Sequence, residues 1–455
     1  MSDTIAALAT PPLSGAIGIL RVSGPQAFAA AASVFVLPGE KPFAEAPERM
    51  LLMGKIRLGD VFLDKACAVR MVAPYSYTGE DMVELHMHGS LPVLRETLDA
   101  LYQAGARPAT PGEFTRRAFL HGKMSLSQAE AVMDLITAET RDAARNAMGQ
   151  LESRIGRLYH EIYDRIAHML AHFYAVVDYP EDDLPPARVS ELQNTLTLCQ
   201  KQLSGLLDTY GRGRLLREGV HCAIIGRPNV GKSSLMNALV GYDRSIVSHT
   251  PGTTRDMVEE SALLGGIKLR LCDSAGIREE SGEPIEAEGV ERARALARGA
   301  ELCFVVLDGS EPMEEGDRAV LDLVRDKPCV VLINKSDLPQ RLERDFIEAA
   351  FLYVISVSAL TGDGLDMVDS TLRRMYDTGT TLCDGSILTN GRQADAIRRM
   401  LAAVERALDA LQAGVTHDAV LAELELSLGA ASELTGRRVR EDVIDRIFEQ
   451  FCVGK

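Results

Sequence analysis

Between the apolar run VHCAIIG and a stretch that reads as helix lies Gly226-Arg-Pro-Asn-Val-Gly231-Lys232-Ser233. Its spacing, GxxxxGK[ST], restricts the possible folds more than any other segment of the chain. Such a loop works only where a buried strand opens into a helix, because backbone N–H groups at the helix start must converge on phosphate oxygens. Asn229, Val230, Gly231 and Ser234 belong to that turn. Lys232 reaches the β and γ oxygens, and the Ser233 hydroxyl suits Mg²⁺.

The segment from Val220 to about Thr378 alternates buried strands and helices. The strands are VHCAIIG, KLRLCDSAG, ELCFVVLDGS, PCVVLINKSD and YVISVSAL, and their near-continuous apolar character predicts a doubly wound, mainly parallel sheet covered on both faces. Asp273-Ser274-Ala275-Gly276 closes one strand where a Walker-B-type carboxylate and a γ-phosphate sensor belong. Asn334-Lys335-Ser336-Asp337 closes another, and Ser358-Ala359 follows the last. The Asp337 carboxylate can accept from both the N1–H and the exocyclic amine of guanine, a donor pair that adenine lacks, so the expected ligand is GTP.

One part of the usual machinery is replaced. Ile277 stands where Ras-like proteins carry a water-positioning glutamine, and an alkyl side chain cannot orient water. Asn229 and the segment Ser248-His249-Thr250-Pro251-Gly252-Thr253-Thr254 offer oxygens that could hold a monovalent cation against the phosphates. A cation there would neutralise developing charge as an arginine finger does.

Around this domain the character changes. The first ~120 residues mix short β-type runs, GAIGILRVSG, KACAVRMVA and MVELHMHG, with Pro/Gly turns. After Lys123 a proline-free stretch with an N-cap signal at Ser127-x-x-Glu130 reads as one long helix. A loop, DYPEDDLPP, ends it, a further helix leads into GRGRLLREG, and helix returns from about Arg392. The expectation is an N-terminal α+β domain at 1–122, a discontinuous helical domain at 123–215 and 379–455, and an inserted α/β domain at 216–378.

Composition narrows the surroundings. With 49 basic and 65 acidic residues the net charge is −16, so any RNA contact needs a local patch or a partner. No apolar run approaches the ~18 residues needed to cross a bilayer. The start of the chain lacks the pattern of a secretory signal, which points to the cytoplasm. The 8 cysteines are scattered, without a CxxC pair, and read as reduced thiols. His168 and His172 lack the glutamate of a zinc HExxH motif.

Outside the nucleotide motifs, TIAALATPP with GAIGILRVSG, YSYTGEDMVELHMHG, RPATPGEFTRRAFLHGKMSLSQAEAVMDLI and the terminal FCVGK are similar to the tRNA-modification GTPase MnmE (TrmE) family, over essentially the whole chain. The resemblance implies an N-terminal tetrahydrofolate-binding and dimerisation domain, with Arg21, Glu84, Lys123 and Lys455 at the folate site. It implies K⁺ on Asn229, Ser248, Thr250 and Thr253, Mg²⁺ on Ser233 and Thr254, and a catalytic glutamate at Glu286. It also implies a homodimer whose G domains pair to stimulate hydrolysis. The implied partners are tRNA and MnmG, which carries the FAD. Together they would place a (carboxymethyl)aminomethyl group on C5 of the wobble uridine, with 5,10-methylenetetrahydrofolate as carbon source and 5-formyltetrahydrofolate as its analogue.

The ending needs its own reading. Gly454 and terminal Lys455 do not fit a prenylation box. Val443, Ile444, Ile447, Phe448 and Phe451 form an apolar helical stripe, and Cys452, one turn beyond Phe448, either packs with it or, as the resemblance implies, serves the modification step. The alternative function is a ribosome-assembly GTPase, which would normally carry a basic RNA-binding module.

Overall fold

The computed structural model describes residues 3–40, 42–178, 189–242, 259–273, 294–376, 384–415, 417–436 and 441–455. It divides into two compact units, one of Met1–Met133, Gln150–Leu203 and Asp395–Lys455, the other of Asp134–Gly149 and Ser204–Ala394.

The first unit holds a sheet of β1 (Ile5–Leu8), β2 (Gly15–Ser23), β3 (Phe35–Val36), β4 (Leu52–Leu58), β5 (Val61–Met71), β6 (Met82–Gly89) and β7 (Arg107–Pro108). The strand order is β3-β4-β5-β6-β2-β1-β7, antiparallel except for the parallel β1–β7 pair. Period-2 alternation on β6 sends Val83, Leu85 and Met87 into a core shared with Leu20 and Val22 of β2 and with helices Ala27–Val34 and Leu91–Gln103. The same alternation puts Arg21 of β2 and Glu84 of β6, which are register partners, on the opposite side of the sheet. There Ile5 and Ala7 pack with Ala109 and Phe114.

An ionic network ties the chain start to helix Glu113–Leu120. Buried Arg117 donates to Glu80 at 3.0 Å, to Glu113 at 3.0 Å and to Asp3 at 2.7 Å. Glu113 also accepts from Arg107 and from the Thr110 backbone N–H. Burial alone would raise the Glu113 pKa, but the bonds from Arg107, Thr110 and Arg117 outweigh it and lower it to about 2.

The long helix expected after Lys123 is instead Leu126–Ile136, Arg141–Leu151 and Arg154–Asp178. Thr140 starts the second by accepting the Ala143 N–H on its hydroxyl at 3.0 Å. Ser153, at φ 60°, breaks the backbone before the third. The capping box also lies two residues earlier than expected: Ser125 Oγ accepts from Gln128 N–H, and Gln128 Oε1 accepts from Ser125 N–H. Ser127 instead donates to the Leu434 carbonyl at 2.7 Å, and Glu130 is buried. The DYPEDDLPP loop falls almost wholly outside the described residues.

In the second unit a sheet runs β13 (Val354–Ser356), β12 (Cys329–Asn334), β11 (Leu302–Asp308), β8 (Val220–Ile225), β10 (Ile267–Asp273), β9 (Glu259–Leu264) in spatial order. All pairs are parallel except β9–β10. Alternate residues of β8 feed two cores, Val220, Cys222 and Ile224 on one face and Ala223 and Ile225 on the other. The sheet is therefore covered on both faces, as its apolar runs require. Strand β9 was not anticipated from the sequence. It joins β10 through Gly265 and Gly266, both at positive φ. Helix Val189–Glu218 continues through GRGRLLRE instead of stopping before it. A Cβ at Gly213 would lie 1.9 Å from the Leu388 carbonyl oxygen, so this helical glycine admits a neighbouring backbone. Among the described residues no helix is long and apolar enough to cross a membrane.

Glu113→Gln should cost roughly 3 kcal/mol of stability at neutral pH, the equivalent of a carboxyl lowered from 4.5 to about 2. Because the folded value is depressed, that contribution is complete above about 4.5 and lost as pH falls towards 2. Urea midpoints of the first unfolding step, followed by circular dichroism, should separate the two proteins at neutral pH and converge in acid.

Candidate functional site

The loop between β8 and helix Lys232–Tyr242 is shaped by backbone that few residues tolerate. Asn229 sits at φ 64° and Gly231 at φ 95°. A Cβ at Gly231 would come within 2.4 Å of Asn334 Nδ2, so both conformation and space call for glycine. Gly226 is equally confined, with the Val306 carbonyl oxygen 2.4 Å from where its Cβ would be. The loop delivers the chain to the positive end of a helix, where anions are favoured. Ser233 and Ser234 are exposed in its first turn, whereas Lys232 is buried and its Nζ donates to the Gly226 and Arg227 carbonyls at 3.1 and 2.8 Å.

Asn334, at the end of β12, fastens this loop to the rest of the site. Its Nδ2 donates to the Val230 carbonyl at 2.8 Å, and its Oδ1 accepts from the Ala359 N–H at 3.0 Å. Lys335, at φ 62°, reaches Asp308 at 2.5 Å. Burial alone would raise the Asp308 pKa, but bonds from Lys335 and Ser310 hold it below the ordinary carboxylate range. Ser358 Oγ donates to Asp337 Oδ1 at 2.6 Å, which orients an otherwise exposed carboxylate. The structure thus brings together Val230, Gly231, Lys232, Asn334, Lys335, Asp337, Ser358 and Ala359. Asp273 ends β10 in register with Ile224 of β8. Ser248, His249, Thr250, Pro251, Gly252, Thr253, Thr254, Ser274, Ala275, Gly276 and Glu286 lie outside the described residues.

A second constellation forms in the first unit. Arg21 donates through Nε and Nη2 to Glu84 Oε1 at 3.0 and 2.8 Å, and His86 Nε2 lies 3.3 Å from Glu84 Oε2. The guanidinium also lies over the rings of Tyr77 and Phe114, at 5.5 and 5.6 Å from their centroids. Burial pushes the Tyr77 hydroxyl pKa up, and that hydroxyl is 2.9 Å from Thr115 Oγ1. Arg21 Nη1 donates to the Gly454 carbonyl at 3.1 Å, which brings the C-terminal tail to the pair.

The tail is held mainly by its main chain. The Cys452 carbonyl accepts from Gly112 N–H at 3.3 Å and the Lys455 carbonyl from Phe114 N–H at 3.1 Å. Gly454, at φ 99°, passes so close to Leu8 that a Cβ would be 2.2 Å from its carbonyl oxygen. Helix Glu441–Glu449 buries Ile444 and Phe448, with Phe451 beyond its end, but Cys452 is exposed. Packing does not account for this thiol, because the helix ends before periodicity could turn it inward. Lys123 makes a different contact, donating to the Pro74 carbonyl at 2.9 Å. Sequence reasoning missed Tyr77, His86 and Phe114; the alternation of MVELHMHG was the one available signal, and it points only to His86.

Known proteins resemble the chain over nearly its whole length. A family model described as GTP-binding protein TrmE N-terminus matches residues 4–123, and one described as MnmE helical domain matches residues 126–452. The chain is 43% identical to a tRNA modification GTPase MnmE of Heliobacterium modesticaldum over 466 aligned positions, covering 100% of both chains. It is 38% identical to the protein of that name from Clostridioides difficile, again over 100% of both. With that from Synechococcus elongatus the identity is 39%, over 100% of this chain and 99% of the relative.

Asp337→Asn should weaken GTP binding by about a hundredfold and admit xanthosine triphosphate, whose C2 oxygen suits an amide donor in place of the lost carboxylate acceptor. Competition titrations with the two nucleotides check this.

Proposed function

Because the chain belongs to the MnmE family of tRNA modification GTPases and is a GTP hydrolase, we propose that it acts with the FAD-dependent protein MnmG to add a (carboxymethyl)aminomethyl group to C5 of the wobble uridine of certain tRNAs. The observation that carries this reading is that the likeness spans the N-terminal and helical domains as well as the nucleotide motifs. A three-domain arrangement underlies it: an N-terminal domain, a helical domain and a P-loop G domain with a mostly parallel sheet. We place their boundaries at 1–122, at 123–215 with 379–455, and at 216–378.

In the G domain, Lys232 and the loop amides would hold phosphates, Ser233 and Thr254 would ligate Mg²⁺, and Asp337 would read guanine. Asn229, Ser248, Thr250 and Thr253 would bind K⁺, an ion that supplies positive charge where Ile277 offers none. Glu286 would align the attacking water.

For the folate, Glu84 supplies a carboxylate that can take paired N–H donors of a pterin, while Arg21, Lys123 and Lys455 suit the anionic carboxylates of its tail. The half-buried Tyr77 ring beside Arg21 fits a flat heterocycle, and the docked C-terminus brings the Lys455 backbone to Phe114 N–H next to it. 5,10-Methylenetetrahydrofolate would provide the carbon, and the exposed Cys452 thiol would assist its transfer. The protein would work in the cytoplasm as a homodimer joined through its N-terminal domains.

Nucleoside analysis of tRNA from cells lacking this chain should show the wobble modification gone; its persistence would refute the proposal. Hydrolysis should be markedly faster in K⁺ than in Na⁺ at equal ionic strength, and equal rates would remove the cation from the mechanism. Cys452→Ser should keep GTP hydrolysis and lose tRNA modification, as assayed side by side.

A further inference from the structure

The second residue of the phosphate loop points its side chain towards helix Glu315–Leu323. Arg227 Nε donates to Asp317 Oδ1 at 2.8 Å, and Nη1 lies 2.5 Å from Glu314 Oε2. Glu311 Oε2 stands slightly farther off, at 3.6 Å from Nη2. Gly316 lets the stem through, since a Cβ there would be 2.8 Å from Arg227 Cδ. Asp317 is 2% exposed and serves twice, because its Oδ2 also accepts the Glu314 N–H at the helix start.

This is not an ordinary surface ion pair. Exposed pairs contribute little, but a buried carboxylate needs its counter-charge. The helix that Asp317 caps follows the loop after β11, and Asp308, the last residue of that strand, holds Lys335 of the base-recognition motif. One short acidic segment therefore grips the phosphate loop through Arg227 and the guanine motif through Lys335. Its carboxylates, Glu311, Glu314 and Asp317, converge on a loop that must accept a polyanion. Without the guanidinium, their field would act against a bound polyanion, screened by salt over a Debye length of ~10 Å at 0.1 M.

We propose that Arg227 is a positioning residue of the nucleotide site: Asp317 and Glu314 clamp it, it fixes the phosphate loop to the acidic segment, and its charge cancels that segment's repulsion of the polyphosphate. The proposal rests on the phosphate-loop reading of residues 226–233. Arg227 contributes by holding the loop with its side chain, while its own carbonyl and that of Gly226 accept from Lys232 Nζ.

The test is titration of the full chain with a fluorescent GDP analogue, at fixed potassium and Mg²⁺, with ionic strength raised by choline chloride. Arg227→Ala should bind roughly tenfold more weakly than wild type at low ionic strength, and the gap should narrow as salt screens the exposed carboxylates. Arg227→Lys should recover most of the loss. Glu311→Gln with Glu314→Gln should recover about half of it in the Arg227→Ala background and tighten binding severalfold in the wild-type background. Both glutamates are largely exposed, at 56% and 60%, so the last variant decides the matter even if Arg227→Ala fails to fold. Arg227→Ala binding as tightly as wild type would overturn the proposal. So would a deficit that neither salt nor the glutamine pair relieves, or unchanged affinity in the glutamine pair alone. If wild type itself ignored the GDP analogue, the phosphate-loop reading would fail instead.

Discussion

The nucleotide site depends on one buried side-chain amide. Asn334 is 2% exposed, and an amide so placed is costly unless both its ends are bonded. Its nitrogen bonds the phosphate loop at Val230 and its oxygen bonds the backbone at Ala359. Neither contact is local: the partners lie 104 and 25 residues away in sequence. Moving either loop strands an unsatisfied polar atom at about 1–3 kcal/mol, so the groups for phosphate and for guanine stay in a common frame. The glycine at 231 follows from this. With Asn334 Nδ2 against the loop, no side chain fits there.

The first unit reaches a similar result by strand register. Arg21 and Glu84 face each other because β2 and β6 pair antiparallel in a register that seats Leu20, Val22, Val83 and Leu85 in the core. A one-residue slip of either strand would send its polar residue into that core and expose its apolar neighbours, so the apolar pattern that folds the sheet also fixes the ion pair. The pair is partly shielded, with exposures of 15% and 18%, and lies against aromatic rings. Its attraction is therefore less weakened by solvent than that of a surface pair.

How much of this could be read from the sequence depended on how local each signal was. The parallel sheet and the phosphate loop were legible because buried strands and glycine spacing are written over a few adjacent residues. Strand β9, EESALL, was missed because its polar start hides a half-buried strand, and only its hairpin with β10 reveals it. The breaks after Ile136 and Leu151 escaped because a lone Thr or Ser, although favoured at helix ends, also occurs within helices and does not by itself mark a break as Pro or Gly would. The continuation through Gly211 and Gly213 escaped for the converse reason. Glycine disfavours a helix locally, yet Leu388, far along the chain, requires a residue without a side chain there. Tyr77 and Phe114 were invisible because nothing in their surroundings marks residues that meet Arg21 only in three dimensions.

Placing the C-terminus against β1 has a mechanical consequence. Main-chain bonds from Gly112 and Phe114 hold the last residues, while the Gly454 carbonyl takes a bond from Arg21. Phe448 and Phe451 pack with Leu126, Ala129 and Ile444 in one cluster, and Gly112 abuts both phenylalanines, with its would-be Cβ 3.0 Å from each Cβ. Tail, last helix and the start of helix Glu113–Leu120 therefore share one packed joint. Sliding helix Glu441–Glu449 by even part of a turn would open that cluster and withdraw the carbonyl from Arg21. Arg21 would keep Glu84 but lose its third anchor, and its guanidinium would be free to reorient over the rings. Because packed cores tolerate discrete rearrangements better than gradual ones, the position of the last helix and the geometry of the Arg21–Glu84 pair are set together.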